Sequence, residues 1–502
     1  MADGAPHSVT AVSRPTVTRS NALLRPNSSK VVGRPHEPGD EPSPEGVPRL
    51  TSIVSRIVAL SAEDVASELD DVHRRFATRH RDLDAMLVRN AERVELLLDG
   101  VDADRRRLVG AYLTQEHAYQ AAAVTNPSMV PAPDQSGVEA GAKRFVLSVR
   151  AIGEGHISSI AFRTGVVSAD GGVSVDDDAT LTETGERGVP VYERRHFAAK
   201  LKELGADVTL TSTVLDKLGR HFGQGELESA IAVLDAEPRA VTHESVKLMR
   251  WLAASNYLLK FDGATTTIQE RLVWPEGPFE SKGMEDARFV HFTEDDGSST
   301  YYGTYTAYDG FEILPQLIET NDFCTFEMST LSGASAQNKG MALFPRLIEG
   351  AYVALSRPDR ENLHLLRSPD PRAWHHASVP VRRPTRAWEI IQMGNCGSPI
   401  ETEAGWLVLT HGVGPMRTYR MGAILLDLDH PERIIGDLPE PLLEASEEER
   451  EGYVPNVVYS CGAMVHDDHL VVPYGVADQR TAIAVCSLSQ VLEALLASSP
   501  AA

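Results

Sequence analysis

Two carboxylates and a guanidinium, Glu285, Asp286 and Arg288, stand together in Gly283-Met284-Glu285-Asp286-Ala287-Arg288, and Asp309 follows in Tyr305-Thr306-Ala307-Tyr308-Asp309-Gly310. The first group reads as a loop between apolar strands, and Asp309 as the tip of the next hairpin. Carboxylates at loop tips beside Arg suit a sugar-cleaving pocket, in which one acid gives a proton to a leaving oxygen while others grip hydroxyls. From composition alone, an ordinary ion pair at a strand entrance explains the same residues.

The elements that must hold these groups are read from hydrophobic period. Residues 1–50 are rich in Pro, Ser and Gly, with Pro35, Pro38, Pro42, Pro44 and Pro48 interrupting regular structure, so a largely irregular arm is expected, with Leu24-Arg25-Pro26 able to dock as an extended segment. Helical spacing of Leu69, Val72, Phe76, Leu83, Leu87 and Val94, opened by a Ser61/Asp64 capping box, predicts a helical region over 51–123. After Asn126-Pro127 the period drops to two, as in Arg144–Val149 and His156–Phe162, which predicts sheet. Helix spacing returns over about 195–256 as an insertion, and short strands with frequent turn residues then continue to about 490, ahead of a C-terminal tail at 491–502. This pattern describes a barrel, sandwich or propeller, and shows no clear repeat.

Further polar residues stand at strand rims. Asn338-Lys339-Gly340 precedes Met341-Ala342-Leu343-Phe344-Pro345-Arg346, Gln392-Met393-Gly394-Asn395 precedes a strand ending at His411, and Tyr474-Gly475-Val476-Ala477-Asp478 closes the series. Together with Asn126, Asn456 and the Glu285-Asp286-x-Arg288 group, the order of motifs over about 126–490 resembles glycoside hydrolase family 130, the β-mannoside phosphorylases and related mannosidases. The resemblance implies a mainly β fold, a five-bladed β-propeller over 124–490. The helices of 51–123 would be an N-terminal extension outside the family core.

The resemblance also implies roles. Asp286 matches the family's general acid, whose proton passes through a mannose hydroxyl. Asn126 and Asp478 match mannose-binding residues, and Lys339 and His411 match residues that bind phosphate. His156 and Arg163 fall where the first blade carries sugar-binding residues. Glu285, Arg288, Tyr308, Asp309, Gln392 and Asn395 complete the candidate substrate contacts, and Arg346 and Arg417 are candidate helpers for phosphate, since guanidinium forks match phosphate oxygens. Phosphate needs no general base, whereas a hydrolase needs a carboxylate to activate water; Glu312, Glu319 and Glu401 are available for that. Two departures stand out: Phe311–Gln316 lacks the Arg that several family phosphorylases place there, and Gln392 stands where some members have a Lys. The implied activity is inverting phosphorolysis of β-linked manno-oligosaccharides to α-mannose 1-phosphate. The rivals are an inverting β-mannosidase and a non-catalytic carbohydrate-binding propeller.

Bulk properties narrow the partners. Among 502 residues, 71 acids outweigh 48 Lys and Arg, for a formal charge of -23, which repels nucleic acids and anionic membranes alike. The expected partners are a small carbohydrate and inorganic phosphate as co-substrate, with no other cofactor. Cys324, Cys396, Cys461 and Cys486 lack zinc or disulfide spacing, and His117, His375 and His376 have no ligand-spaced partners, so no metal is expected. No apolar run resembles a secretory signal or a membrane span, which predicts a cytoplasmic protein. The two helical regions would cover the pocket or pack against another subunit, and a homo-oligomer stays open.

Overall fold

The computed structural model describes residues 14–39, 46–232 and 240–498. Pro42, Pro44 and the ends of the expected arm and tail (1–13, 40–45 and 499–502) lie outside the described residues, as do 233–239 of the expected insertion. The chain is mainly β, with sheets of eleven, five, five, four, two and two strands among the described residues. The eleven-stranded sheet divides at its single parallel pair, Ser158 with Gly283, into two antiparallel parts, and these with the four-stranded and the two five-stranded sheets make five units in chain order. The first runs from Ala123–Pro131 through Lys143–Ile152 to Ser158–Val167, and the second from Gly283–Thr293 through Ser299–Tyr308 and Ile313–Thr320 to Thr325–Thr330. The third spans Ala342–Leu343 to Val379–Arg382, and the fourth Gln392–Asn395 to Ile434–Asp437. In the fifth, Val458–Tyr459, His469–Val476 and Arg480–Ser487 are joined by Val17–Leu24 from the start of the chain, with Val17 opposite Cys486.

That last pairing corrects the expectation of a largely irregular arm. Val17–Leu24 offers an edge that the final strand can pair with, and Val31–Pro35 pairs with Thr114–Ala118. Local composition does not reveal a strand whose partner lies at the other end of the chain.

Each unit is bonded to the next. Phe289 N donates to Ser128 Oγ (3.0 Å), Thr293 N to Pro345 O (2.9 Å), Met393 N to Glu361 O (3.0 Å) and Tyr419 N to Asn456 O (3.0 Å). The fifth unit returns to the first: Val124 N donates to Gln479 O (2.9 Å) and Cys461 N to Pro127 O (2.8 Å). An apolar cluster fills each of these junctions: Phe162 meets Phe289, Phe292 joins the cluster of Ala354, Phe344 packs on Trp406, Leu409 joins that of Val472, and Val471 that of Phe145. Strands buried on both faces therefore read as nearly continuous apolar runs, as in Gly405–Val413.

Helices Arg49–Val58, Ala62–Phe76, Leu83–Glu92 and Ala103–Tyr112 precede the strand Thr114–Ala118. Ser61 Oγ accepts from Asp64 N at the start of Ala62–Phe76, a cap that stabilises a helix by about 1 kcal/mol. This helix and its neighbours bury Val54, Val65, Leu69 and Leu108 in a cluster of their own. Helices Arg194–Glu203, Val208–Leu215, Gln224–Ala232 and Ala240–Ala254 make up the insertion, around Phe197, Leu201, Phe222 and Met249. The expected tail is helical at Leu488–Ala497. No helix among the described residues is long and apolar enough to cross a membrane.

Candidate active site

Two β-bulges create the centre of the site. The ladder of the first unit slips between Thr125 and Ser128, and that of the second between Glu285 and Arg288. A bulge leaves a residue unpaired and re-aims its side chain. In each bulge an Asn or Asp takes the left-handed conformation, Asn126 at φ 49° and Asp286 at φ 57°, a region these short polar residues tolerate better than others. The two side chains meet: Asn126 Nδ2 donates to Asp286 Oδ1 at 2.7 Å. Asp478, at φ 52°, approaches from the fifth unit and accepts from Thr125 Oγ1 at 3.4 Å. Burial first, and the charge of Asp286 second, push the Asp478 carboxyl above its ordinary pKa.

Arg150 binds this acid group together. Its Nη2 donates to Glu285 Oε1 at 2.6 Å, and its Nη1 lies 3.7 Å from Asp286 Oδ1. The other Glu285 oxygen is held by Lys339 Nζ. Lys339, whose side chain keeps 35% of its exposure, is therefore one residue along the chain from contact with the acid. Arg288 is buried; it donates to Asn395 O (3.3 Å) and to the Tyr459 hydroxyl. Gly340, just after Lys339, lies close enough to Asn395 Oδ1 and Arg288 Nη2 that an added Cβ would stand 3.7 and 3.9 Å from them.

His411 forms the far wall. Its ring packs edge-on against Tyr459 (centroids 4.8 Å), and its Nε2 lies 3.4 Å from Arg357 Nη1. Gly394 makes room for it, since a Cβ there would fall 2.7 Å from His411 Cε1. Burial, then the charges of Arg357 and Arg288, hold the imidazole pKa well below its ordinary value. The imidazole is therefore held in its neutral form, and the positive charge beside it is that of Arg357. Among its atoms, Nδ1 is buried without a hydrogen-bond partner, as are Asn126 Oδ1, Asn395 Oδ1 and Arg150 Nε. Buried polar atoms of this kind are uncommon in folded proteins, and here they are positions at which a bound ligand can supply a hydrogen bond.

The remaining candidates divide. Tyr308 stands opposite Gly283 at the same sheet end, and its hydroxyl donates to Gly310 O. The Asp309 carboxylate is taken up by its own turn, accepting from Phe311 N and Glu312 N at 2.8 Å each. Gln392 is half-buried opposite Val413. His156 is exposed beside Tyr453 (centroids 5.9 Å), and Arg417 is exposed in the Pro415–Arg417 turn, close enough for its charge to act on Asp478.

Two expected contacts lie elsewhere. Arg163 is buried in a separate group, donating to Asp178 (2.8 Å) and Gln120 (3.2 Å). Arg346 forks onto Glu401 and lies over the Trp406 ring at 4.9 Å. Both guanidiniums are satisfied by nearer partners than the acid cluster.

Arg150, Arg357 and Tyr459 escaped the sequence reading. A signal existed for Arg150, a charge that follows Phe145-Val146-Leu147-Ser148-Val149 in the strand Lys143–Ile152. Arg357 follows the strand Tyr352–Ser356 and Tyr459 ends Val458–Tyr459, positions with no signature until the units are brought together.

Comparison with known proteins agrees with this arrangement of motifs. Residues 256–496 match the family profile described as beta-1,4-mannooligosaccharide phosphorylase. The chain is 30% identical over 366 residues to a beta-1,2-mannobiose phosphorylase of Listeria innocua, covering 70% of this chain and 95% of the relative. It is 32% identical over 254 residues to a 1,2-beta-oligomannan phosphorylase of Thermoanaerobacter sp., covering 49% of this chain and 82% of that one. A solved structure of the Listeria innocua beta-1,2-mannobiose phosphorylase in complex with beta-1,2-mannobiose covers 74% of this chain and 92% of its own, at 24% identity and a TM-score of 0.45. With 95% of the Listeria innocua relative matched at 30% identity, the chain belongs to glycoside hydrolase family 130.

Proposed function

We propose that the protein is an inverting β-mannoside phosphorylase, which cleaves β-linked manno-oligosaccharides with inorganic phosphate to give α-mannose 1-phosphate. The observation that carries this reading is Lys339 on Glu285, next in the chain to Asp286: a cation suited to phosphate stands beside an acid suited to a leaving group. Five antiparallel units, each bonded to the next and the last to the first, support a five-bladed propeller with these residues at its axis.

In this reading Asn126, Asp478 and the acid cluster hold the mannose, while Lys339, Arg357 and His411 hold phosphate. A phosphate oxygen attacks the anomeric carbon from the face opposite the leaving sugar. The glycosidic C–O bond breaks with its electron pair going to oxygen, and a proton reaches that oxygen from Asp286 through a mannose hydroxyl. The nucleophile is already anionic, so no base is required. Neutral His411 donates to phosphate without adding charge, and the guanidinium of Arg357 takes the place of the Arg missing from Phe311–Gln316. Phosphate is the only co-substrate, and a charged sugar phosphate product is retained inside a cell, which supports a cytoplasmic enzyme.

The rival β-mannosidase needs a carboxylate base. Glu319 is ion-paired to Arg372 and Glu401 to Arg346, and Glu312 is exposed on the hairpin turn, which favours phosphorolysis. Purified protein incubated with β-1,2-, β-1,3- and β-1,4-mannobiose, with and without phosphate, is expected to form mannose 1-phosphate only with phosphate. Equal release of free mannose in both tubes would eliminate the phosphorylase.

A further inference from the structure

A cavity of about 330 Å³ opens away from the acid cluster, where the insertion helix Arg194–Glu203 faces the strand Thr325–Thr330 of the second unit and Asp370 and Arg372 of the third. That volume lies at the lower end of small-molecule sites. The lining is rich in charge, and its pairing decides what class of ligand it suits. His196 Nε2 lies 2.8 Å from Asp370, Lys200 Nζ 3.3 Å from Glu203, Arg372 3.1 Å from Glu327, and Arg220 3.7 Å from Glu193. Each of these cations already has a carboxylate, so an anionic ligand would find no uncommitted positive charge and would meet the carboxylates as well.

A neutral polyol faces the opposite balance. Ser329 lines the cavity at 8% exposure, and its hydroxyl, on the strand face it shares with Glu327, is buried without a hydrogen-bond partner. It offers a donor and an acceptor, and a buried hydroxyl left unmatched is costly. The paired Asp370 and Glu327 carboxylates keep lone pairs for further hydroxyl donors, while Tyr192 and Phe197 add apolar surface. Carboxylates, guanidinium, hydroxyls and aromatic surface together are what grips the alternating polar and apolar faces of a sugar.

We propose that this cavity is a second, non-catalytic binding site for a neutral hexose oligosaccharide, built by the helical insertion against the second and third units. The ligand class follows from the cavity's own lining, so the inference goes beyond the phosphorylase reading and does not depend on it. Such a site would hold one part of a long glycan while the acid cluster works on another.

The test is equilibrium dialysis of the full chain carrying Asp286→Asn, so that sugar is not consumed, with β-1,2- and β-1,4-mannobiose, cellobiose and inorganic phosphate as separate probes. The expected result is disaccharide binding that weakens on the order of tenfold when Ser329→Ala or Asp370→Asn is added, with a second class of sites left intact in the mannobiose titrations. Ser329→Ala removes only the hydroxyl, and Asp370→Asn acts on a side chain that is 34% exposed, so a folding defect in one leaves the other informative. Disaccharide binding unchanged in both variants, or phosphate binding that either variant abolishes, would overturn the proposal. Wild-type turnover assayed in parallel reports separately on the acid cluster: loss of phosphorolysis with the dialysis result intact removes only the reading of that cluster.

Discussion

The guanidinium of Arg150 lies 3.7 Å from the carboxylate of Asp286 while donating at 2.6 Å to Glu285. One guanidinium thus fixes both carboxylates, and holding the acid in place is part of what makes its proton transfer fast. Arg150→Met is therefore expected to lower kcat/KM on the order of tenfold through looser positioning of Asp286. A variant whose kcat/KM matches the wild type would contradict this.

Asp286→Asn suits the site unusually well, because Asn tolerates the left-handed backbone at φ 57° and its carbonyl still accepts from Asn126. The fold and sugar affinity should survive while the proton donor is lost. Turnover is expected to fall about 10²–10⁴-fold, the span of general acid catalysis. Calorimetric binding of mannobiose alongside the rate separates this outcome from misfolding, and full activity in the variant would move the acid elsewhere.

The cations make distinct predictions. Lys339→Ala and Arg357→Ala should each raise the KM for phosphate about tenfold or more, since charge-assisted hydrogen bonds contribute roughly 1.5–3 kcal/mol. Arg346→Ala should leave it within about twofold, because Arg346 is spent on Glu401 and Trp406. Phosphate titrations at saturating sugar rank the three, and an Arg346→Ala defect as large as that of Lys339→Ala would place phosphate differently.

His411 is predicted to act as a neutral hydrogen-bonding group, its pKa held down by burial and by Arg357 and Arg288. His411→Gln keeps a neutral donor and should lose less phosphate affinity than His411→Ala. If imidazolium charge were required, both would fail alike, and wild-type phosphate binding would weaken as pH rises past about 6.5.

Stability carries a pH signature of its own. Glu319 is pushed up to about 7 from 4.5, chiefly by burial, with Arg372 opposing the shift. Its folded pKa lies above the unfolded one, so its contribution is fully present below about 4.5 and is lost as pH rises through about 7. The loss amounts to about 3 kcal/mol at most. Glu319→Gln should flatten the fall in urea-derived stability between pH 5 and pH 8, and an identical slope in both proteins would refute the assignment.

Much of the local structure was readable in the chain. The Ser61 cap, the helices that follow it and the insertion have periods of their own, because each forms an apolar cluster from nearby residues. The bulges were readable only as chemistry: Asn126-Pro127 and Glu285-Asp286 mark polar groups at strand ends, without showing that both residues turn left-handed and meet. Arg163 and Arg346 were misplaced for the same reason, since the choice between neighbouring partners is made by side-chain reach in three dimensions.

The sequence by itself determined the family, the mainly β character, the helical regions and the identity of the acid candidate, because these depend on residue type, order and short-range period. Tertiary structure alone decided that Val17–Leu24 completes the fifth unit, that Arg150 joins Glu285 to Asp286, that His411 is neutral beside Arg357, and that a second charged cavity lies under the insertion. Each of these turns on distance and burial between residues far apart in the chain, and electrostatic interactions between groups depend on exactly those two quantities.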